Sequence, residues 1–273
     1  MVCSEQRPLV TIITVSLNSD RYIKDAIESV LNQDYTNFEY IIVDGLSTDN
    51  TLQIIKEYES IFKGKLKWVS EKDNGLYDAM NKGIALANGE IIGILNSDDY
   101  YEKATLKQVV ENINQYHMVH GNLRFVDSSG KAIKVYRHKK GTIRKYISTP
   151  FNHPTMFVKK QVYEDIGSYN ENYLVAADYD FMLRFYRQRL SDIYLDRVIT
   201  NMRTVGVTSS AAKVVNPEEI YAVLVNSGLP SFLAKLFVSY RKIRVVISSW
   251  LHNYPVVIKS IRKWSKYHKD EFQ

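Results

Sequence analysis

The sequence predicts an α/β fold with a mostly parallel sheet, flanking helices and a C-terminal helical extension, on three observations. Short apolar runs rich in β-branched residues alternate with amphipathic helical patterns through residues 1–100. The runs recur every ~20–30 residues, the spacing of strand–helix–strand units in a parallel sheet. From about Asn216 onward the pattern turns helical and basic. A chain of 273 residues has room for one large α/β domain with an appendage, or for two small domains.

Taken in order, Val10 to Val15 (VTIITV) is short and β-branched enough for a buried strand. Asp20 to Gln33 then places Ile23, Ile27, Val30 and Leu31 on one helical face. Tyr40 to Val43, Leu66 to Val69 and Ile91 to Leu95 read as three further strands, separated by helices over about 48–60 and 77–87. Near-continuous apolar strands of this kind belong to sheets covered on both faces. Beyond Lys103 a helix runs to about Tyr116, followed by a short strand at Met118 to His120. Leu123 to Val126 and Ala132 to Tyr136, joined by Asp127-Ser128-Ser129-Gly130, form a hairpin. Thr155 to Val158 is strand-like and Asp178 to Arg189 helical.

Three strands end in polar, turn-forming residues: Ser16-Leu17-Asn18 after the first, Asp44-Gly45 after the second, Asn96-Ser97-Asp98-Asp99 after the fourth. Ligands of open α/β sheets bind beyond the carboxyl ends of the strands, so these clusters should meet in one crevice. The first strand is followed by neither G-x-G-x-x-G nor G-x-x-x-x-G-K-[ST], which argues against a dinucleotide oxidoreductase and a P-loop enzyme.

The composition, 45% hydrophobic and 24% charged, is that of an ordinary globular protein. A single cysteine, Cys3, excludes an internal disulfide and a Cys-based zinc site and suits a reducing compartment. Met1 to Pro8 has no apolar signal core, and no stretch reaches the ~18 apolar residues of a spanning helix. A cytoplasmic location is the expectation. The formal charge is +6, and from Pro230 onward nine Lys and Arg face only Asp270 and Glu271. The charge is a basic tail on a neutral body, not the footprint of a nucleic-acid reader.

The acidic cluster after the fourth strand admits two readings. One is a solvated turn, with Asp99 capping the helix that follows. The other is a site for Mg²⁺ or Mn²⁺, which bind through one or two carboxylates plus substrate phosphates. A carboxylate and a phosphate ~4 Å apart repel by about 4 kcal/mol at an effective dielectric of 20. A diphosphate substrate here therefore calls for a divalent metal.

Five stretches resemble family 2 glycosyltransferases with the GT-A fold, a Rossmann-like nucleotide-binding architecture. They are VTIITVSLN (10–18), IIVDGLSTDNT (41–51), SEKDNGLYDAMNKGI (70–84), ILNSDD (94–99) and AADYDFMLR (176–184), in the family's order and spacing. The resemblance implies a catalytic domain over 1–215, with a nucleotide-sugar half at 1–100 and an acceptor half at 101–215, then a basic helical region at 216–273. It implies that Thr14, Val15 and Leu17 cradle the nucleoside and that Asp44 helps to hold it. Many relatives carry a second acidic residue where this chain has Gly45, and an aromatic where it has Leu17. Ala79-Met80-Asn81-Lys82-Gly83 resembles the A-R-N-x-G pattern with Met80 for arginine, placing Asn81 at the substrate. In the D-x-D motif, Asn96 would contact ribose and Asp98 the metal, with Asp99 in support if it does not cap. Ala177-Asp178-Tyr179-Asp180 resembles E-D-x-D with Ala177 for glutamate, which makes Asp178 the expected catalytic base; its other reading is a helix N-cap. Asp180 would orient the acceptor or face solvent. His153 would touch phosphate or acceptor.

The implied reaction is an in-line displacement with inversion, from a nucleoside-diphosphate sugar to a hydroxyl of a glycan or lipid-linked acceptor. A UDP-sugar is the first expectation for the donor, with GDP and dTDP as alternatives. At the C-terminal end Leu233, Leu236, Phe237, Tyr240, Ile243, Ile247, Trp250 and Leu251 form an apolar stripe. A second segment carries Val257, Ile258, Ile261 and Trp264 among basic residues. Either the two pack on the catalytic domain as a helical hairpin, or they lie peripherally on the cytoplasmic face of a membrane, attracted to anionic lipid. Two other functions share these features: a nucleotidyltransferase, which would normally show a Gly-rich basic loop after the first strand, and a non-catalytic nucleotide-binding relative.

Overall fold

The computed structural model describes residues 7–138, 146, 150–204 and 216–252. Four parallel strands form the first half: β1 (Val10–Ser16), β2 (Phe38–Asp44), β3 (Leu66–Ser70) and β4 (Ile91–Asn96), in the order β3-β2-β1-β4. The register sets Ser16 beside Asp44, Asp44 beside Ser70, and Val15 beside Asn96. All four strands therefore release their loops at one level.

Alternation along the strands splits the core in two. Ile13, Val15, Ile41 and Val43 face one side, and Val10, Ile12, Tyr40 and Ile42 the other. Helices α1 (Ile23–Leu31) and α2 (Thr51–Glu59) bury Ile23, Ile27 and Ile55 on the second side, while α3 (Leu76–Leu86) buries Met80 and Ile84 on the first. Burying each such side chain contributes ~1.5–3 kcal/mol. A Cβ at Gly83 would overlap the side chain of Ile13, so the absence of a side chain lets α3 lie flat on β1.

The second half completes a nine-stranded sheet. It contains β5 (Tyr100–Tyr101), α4 (Thr105–Ile113), β6 (Met118–Val126), β7 (Ala132–Tyr136) and β8 (Phe157–Lys159). Then follow α5 (Lys160–Ile166), α6 (Ala177–Arg187) and β9 (Asp192–Arg203). The order continues β4-β8-β6-β9-β5, with β7 on β6; β8 is antiparallel to β4 and β6, and β6 runs parallel to β9.

Several local expectations change. The two predicted strands around Gly121 are one strand, β6. The strand expected from Thr155 begins at Phe157, because residues 153–155 form a 3-10 turn closed by Thr155 N–H to the Asn152 carbonyl, 2.8 Å. Strands β5 and β9 and helix α5 were not anticipated.

Asn216 caps α7 (Pro217–Asn226) through the backbone of Glu218, 3.0 Å, with Pro217 in the first turn. Helix α8 (Ser231–His252) follows the turn at Gly228. Ile220, Val223, Leu224 and Ala234 share one apolar cluster with Phe181 and Phe185 of α6, so both helices pack on the α/β core. The opposite face of α8 leaves Phe232, Leu236, Tyr240 and Ile243 exposed. The predicted second segment, with Val257, Ile258, Ile261 and Trp264, lies outside the described residues.

Candidate active site

The loops beyond β1, β2 and β4 do converge. Asn18 accepts from Thr48 N–H at 2.8 Å and donates its own N–H to Ser47 Oγ at 2.8 Å. The Ser19 and Ser97 hydroxyls meet at 2.8 Å, joining the first loop to the acidic one. Asn18 and Leu46 hold positive φ (50° and 64°), the bends that bring these loops together. A cavity of about 760 Å³ lined by Arg7, Gly89, Ile91, Val110 and Lys160 lies at the opposite edge of the sheet, among none of the expected site residues.

In the acidic loop the two aspartates differ. Asp99 is buried and accepts from the Asn96 amide at 3.0 Å and from the backbone N–H of Arg203 at 3.1 Å. It caps no helix, since α4 begins only at Thr105; it ties the loop to β9. Burial, and then the charge of Asp98, hold its carboxyl well above the ordinary carboxylate range. Asp98 is partly exposed, and burial pushes its carboxyl up as well. Arg203, which the sequence reading missed, donates to the Asp98 carbonyl at 2.8 Å, pairs with Asp25 and lies over the rings of Tyr22 and Tyr100 at 4.5 and 5.2 Å. Its signal is faint because β9 buries Thr200, Asn201 and Arg203, which breaks the alternation that marks a strand.

A second cluster surrounds Asp178. Helix α6 begins at Ala177, so Asp178 sits in its first turn, not at the N-cap, which is Ala176. Its Oδ1 accepts from Tyr179 N–H at 2.7 Å and lies 3.4 Å from the Tyr77 hydroxyl. Burial raises the Asp178 carboxyl above its usual range, opposed by the nearby His153 and by these donors. His153 is shifted down by burial, and its Nε2 lies 2.8 Å from the Tyr169 hydroxyl. The rings of Tyr77 and Tyr169 lie 5.7 Å apart, and burial raises both phenols. A half-buried carboxylate and imidazole and two buried tyrosines, from α3, α6 and two loops, thus share one pocket. Asp180 neither meets this pocket's groups nor faces solvent freely: it is buried and paired with Arg184 at 2.8 Å.

The remaining expected residues divide by how much chemistry they keep. Leu17 is 57% exposed in the crevice. Thr14 and Val15 are buried and paired with β2 and β4 on either side, and the Thr14 hydroxyl accepts from Tyr40 at 2.9 Å, so both shape the crevice from beneath. Asp44 is fully buried and accepts from the hydroxyls of Ser16, Ser47 and Ser70 and from Ser47 N–H. Asn81 donates to the Tyr169 carbonyl (2.9 Å) and Glu171 (2.7 Å) and accepts from Tyr169 N–H (3.0 Å). It fastens the loop that carries Tyr169.

Among the described residues no group of three or more His, Cys, Asp or Glu side chains could hold a metal alone. Asp98 still fits Mg²⁺ or Mn²⁺, because it is partly exposed and among the described residues its carboxylate takes no side-chain hydrogen bond or ion pair, and such ions complete their shell with phosphate and water.

A family model described as glycosyl transferase family 2 matches residues 11–167. An uncharacterized glycosyltransferase of Methanocaldococcus jannaschii is 30% identical over 194 residues, 67% of each chain. Of solved structures, Staphylococcus aureus TarS 1–349 in complex with UDP-GlcNAc superposes with a TM-score of 0.65 at 23% identity, over 85% of this chain and 71% of that one. A Pyrobaculum calidifontis mannosyltransferase in complex with GDP-Man and Mn²⁺ gives 0.64 at 17% identity, over 96% and 84%. These likenesses agree with the mixed, mostly parallel sheet and flanking helices of the GT-A fold. The chain is a member of glycosyl transferase family 2.

Proposed function

We propose that the protein transfers a sugar, with inversion, from a nucleoside-diphosphate donor to a hydroxyl of a glycan or lipid-linked acceptor. The observation that carries this reading is the setting of two carboxylates. Among the described residues Asp98 has no side-chain partner at the loop after β4, and Asp178 sits with Tyr77, Tyr169 and His153 in a pocket that raises its basicity. A sugar hydroxyl is a weak nucleophile, and a positioned carboxylate that takes its proton contributes ~10²–10⁴-fold. Asp178 is that base. Its raised pKa makes it a better proton acceptor than a solvated aspartate. The Tyr77 hydroxyl reaches the carboxylate, His153 stands near it on the Tyr169 hydroxyl, and Asn81 secures the loop that positions Tyr169 against His153. Asp98 would hold Mg²⁺ or Mn²⁺, which neutralises the departing diphosphate. Leu17 forms the nucleoside wall, Thr14 and Val15 support it from the end of β1, and Asn96 lies toward the ribose.

The mannosyltransferase complex with Mn²⁺ and the TarS complex with UDP-GlcNAc support a metal and a nucleotide sugar. The absence of a Gly-rich basic loop after β1 disfavours a nucleotidyltransferase. The exposed stripe on α8, flanked by Lys235 and Lys242, supports peripheral contact with an anionic membrane, which would bring the site to a lipid-linked acceptor.

Calorimetry with UDP, GDP and dTDP, with and without Mn²⁺, tests the donor half, and release of free sugar from nucleotide sugars tests the chemistry. Metal-dependent diphosphate binding is expected. Binding of triphosphates alone, or of no nucleotide, would overturn the proposal.

A further inference from the structure

We infer that Asp73, in the loop after β3, reads the base of the donor nucleotide, replacing the acidic residue that position 45 lacks. The inference rests on the nucleotide-sugar reading above and assigns the specificity of that site.

Glycine at 45 has no backbone justification, since its φ lies outside the positive region that favours glycine. Its justification is space. A Cβ built on Gly45 would overlap Oδ2 of Asp73 and stand 3.5 Å from Cδ1 of Leu17. Any side chain there would evict the Asp73 carboxylate from the wall of the crevice. The other oxygen of Asp73 is fixed: Oδ1 accepts from Gly75 N–H at 3.0 Å, just before the first turn of α3. Among the described residues no Lys or Arg pairs with Asp73, which is partly exposed.

Asp44, the neighbouring acidic residue at the end of β2, cannot do this work. Its carboxylate is fully buried and already takes four hydrogen bonds from Ser16, Ser47 and Ser70. It shapes the floor and leaves no oxygen for a ligand. Glu71, also exposed after β3, is taken by Lys82, which leaves Asp73 as a carboxylate without a cation partner among the described residues, with exposed Leu17 beside it as an apolar platform for a flat ring.

The chemistry narrows the base. A carboxylate only accepts, and here one oxygen is open. The imide of uracil or thymine presents a single N–H and matches it. Guanine presents two adjacent donors that call for both oxygens. Cytosine presents a ring acceptor, which a carboxylate repels.

The test is calorimetry with UDP, GDP and CDP in the presence of Mn²⁺, on the full chain and on Asp73→Asn. In the variant the amide oxygen stays on Gly75 N–H and an N–H₂ faces the base. Affinity for UDP is then expected to fall about 10–100-fold, the effect of losing a charged hydrogen bond. CDP, whose ring nitrogen can accept from the new amide, is expected to lose nothing or to gain. Gly45→Ala, which the backbone tolerates, should weaken UDP similarly by displacing the carboxylate. Wild-type preference for GDP over UDP, or an Asn variant that weakens all three nucleotides equally or none, overturns the assignment and leaves the donor reading standing. A wild-type chain that binds no nucleoside diphosphate overturns the donor reading itself.

Discussion

At the scale of single residues, Asp178 concentrates the cost and the use of this site. Burial raises its pKa, so its folded form holds a proton more tightly than its unfolded form. Its contribution to stability is then greatest below the unfolded value and is lost as pH rises through the folded one; ionised Asp178 at neutral pH burdens the fold. Asp178→Asn should therefore raise the melting temperature near pH 7 by about 2–4 °C, the shift that ~1 kcal/mol gives in a chain of this size. The gain should shrink as pH falls, because the wild-type carboxyl is then neutral too. The same variant should retain donor affinity and lose turnover by ~10²–10⁴-fold. Turnover above about a tenth of wild type would count against Asp178 as the base. In the wild type, kcat/KM should fall as pH drops through a value above the ordinary carboxylate range; an acid limb at the value of a solvated aspartate would argue that another group takes the proton.

At the scale of elements, Glu39 shows how a polar residue can secure a parallel sheet from within. It is buried on β2, and burial alone would push its pKa up, yet Thr11, Asn88 and Lys67 outweigh this and hold it at about 2. Its acceptors join β1 (Thr11, 2.7 Å), the turn before β4 (Asn88 N–H, 2.6 Å) and β3 (Lys67, 3.2 Å). The sign here is opposite to that of Asp178: the stability it contributes is present above pH ~4.5 and is lost as pH falls toward 2. Glu39→Gln should cost about 1–3 kcal/mol at neutral pH, since the amide leaves donors unsatisfied. The loss should narrow in acid; denaturant unfolding at pH 7 and pH 3 measures both, and an equal loss at the two pH values would refute the charge argument. Glu39 also marks the limit of reading elements from sequence. Strands β1 to β4 and helices α1 to α3 were legible because their residues are apolar at the right period, and the crevice was legible because polar clusters end those strands. Strand β9 was not, since its buried polar residues bond to partners far away in the chain: Thr200 to Pro154, Asn201 to Glu102, Arg203 to Asp25. The distinct fates of Asp44 and Asp73 were equally hidden. Nothing local says that three serines will saturate one carboxylate while a glycine makes room for the other.

At the scale of the whole molecule, the placement of α8 decides how the catalytic domain meets its surroundings. One face of this helix is committed: Ala234 is buried, Phe237 and Val238 pack on the main core, and Arg241 lies over the Tyr179 ring of α6 at 4.5 Å. The predicted stripe is thereby divided, because Phe237 turns inward while Leu236, Tyr240 and Ile243 stay 62%, 48% and 58% exposed with Phe232 beside them. Nothing among the described residues covers this row of large apolar groups. Among the described residues no helix is long and apolar enough to cross a membrane; the peripheral contact proposed above rests on this exposed row and the basic residues around it. Lys235 and Lys242 border it, and nine basic residues follow Pro230. Each basic residue near an anionic surface contributes ~1 kcal/mol, and each fully buried Leu or Ile ~1.5–3 kcal/mol. Cosedimentation with vesicles of mixed phosphatidylserine and phosphatidylcholine is therefore expected, weakening with salt and weaker still with phosphatidylcholine alone. The double substitution Leu236→Glu and Ile243→Glu should lower the bound fraction more than about tenfold, with the melting temperature and sugar transfer to a water-soluble acceptor unchanged because neither side chain enters the core. Equal binding of wild type and double variant would show that this face does not meet lipid. A parallel loss of soluble transfer would show instead that the stripe supports the catalytic domain directly.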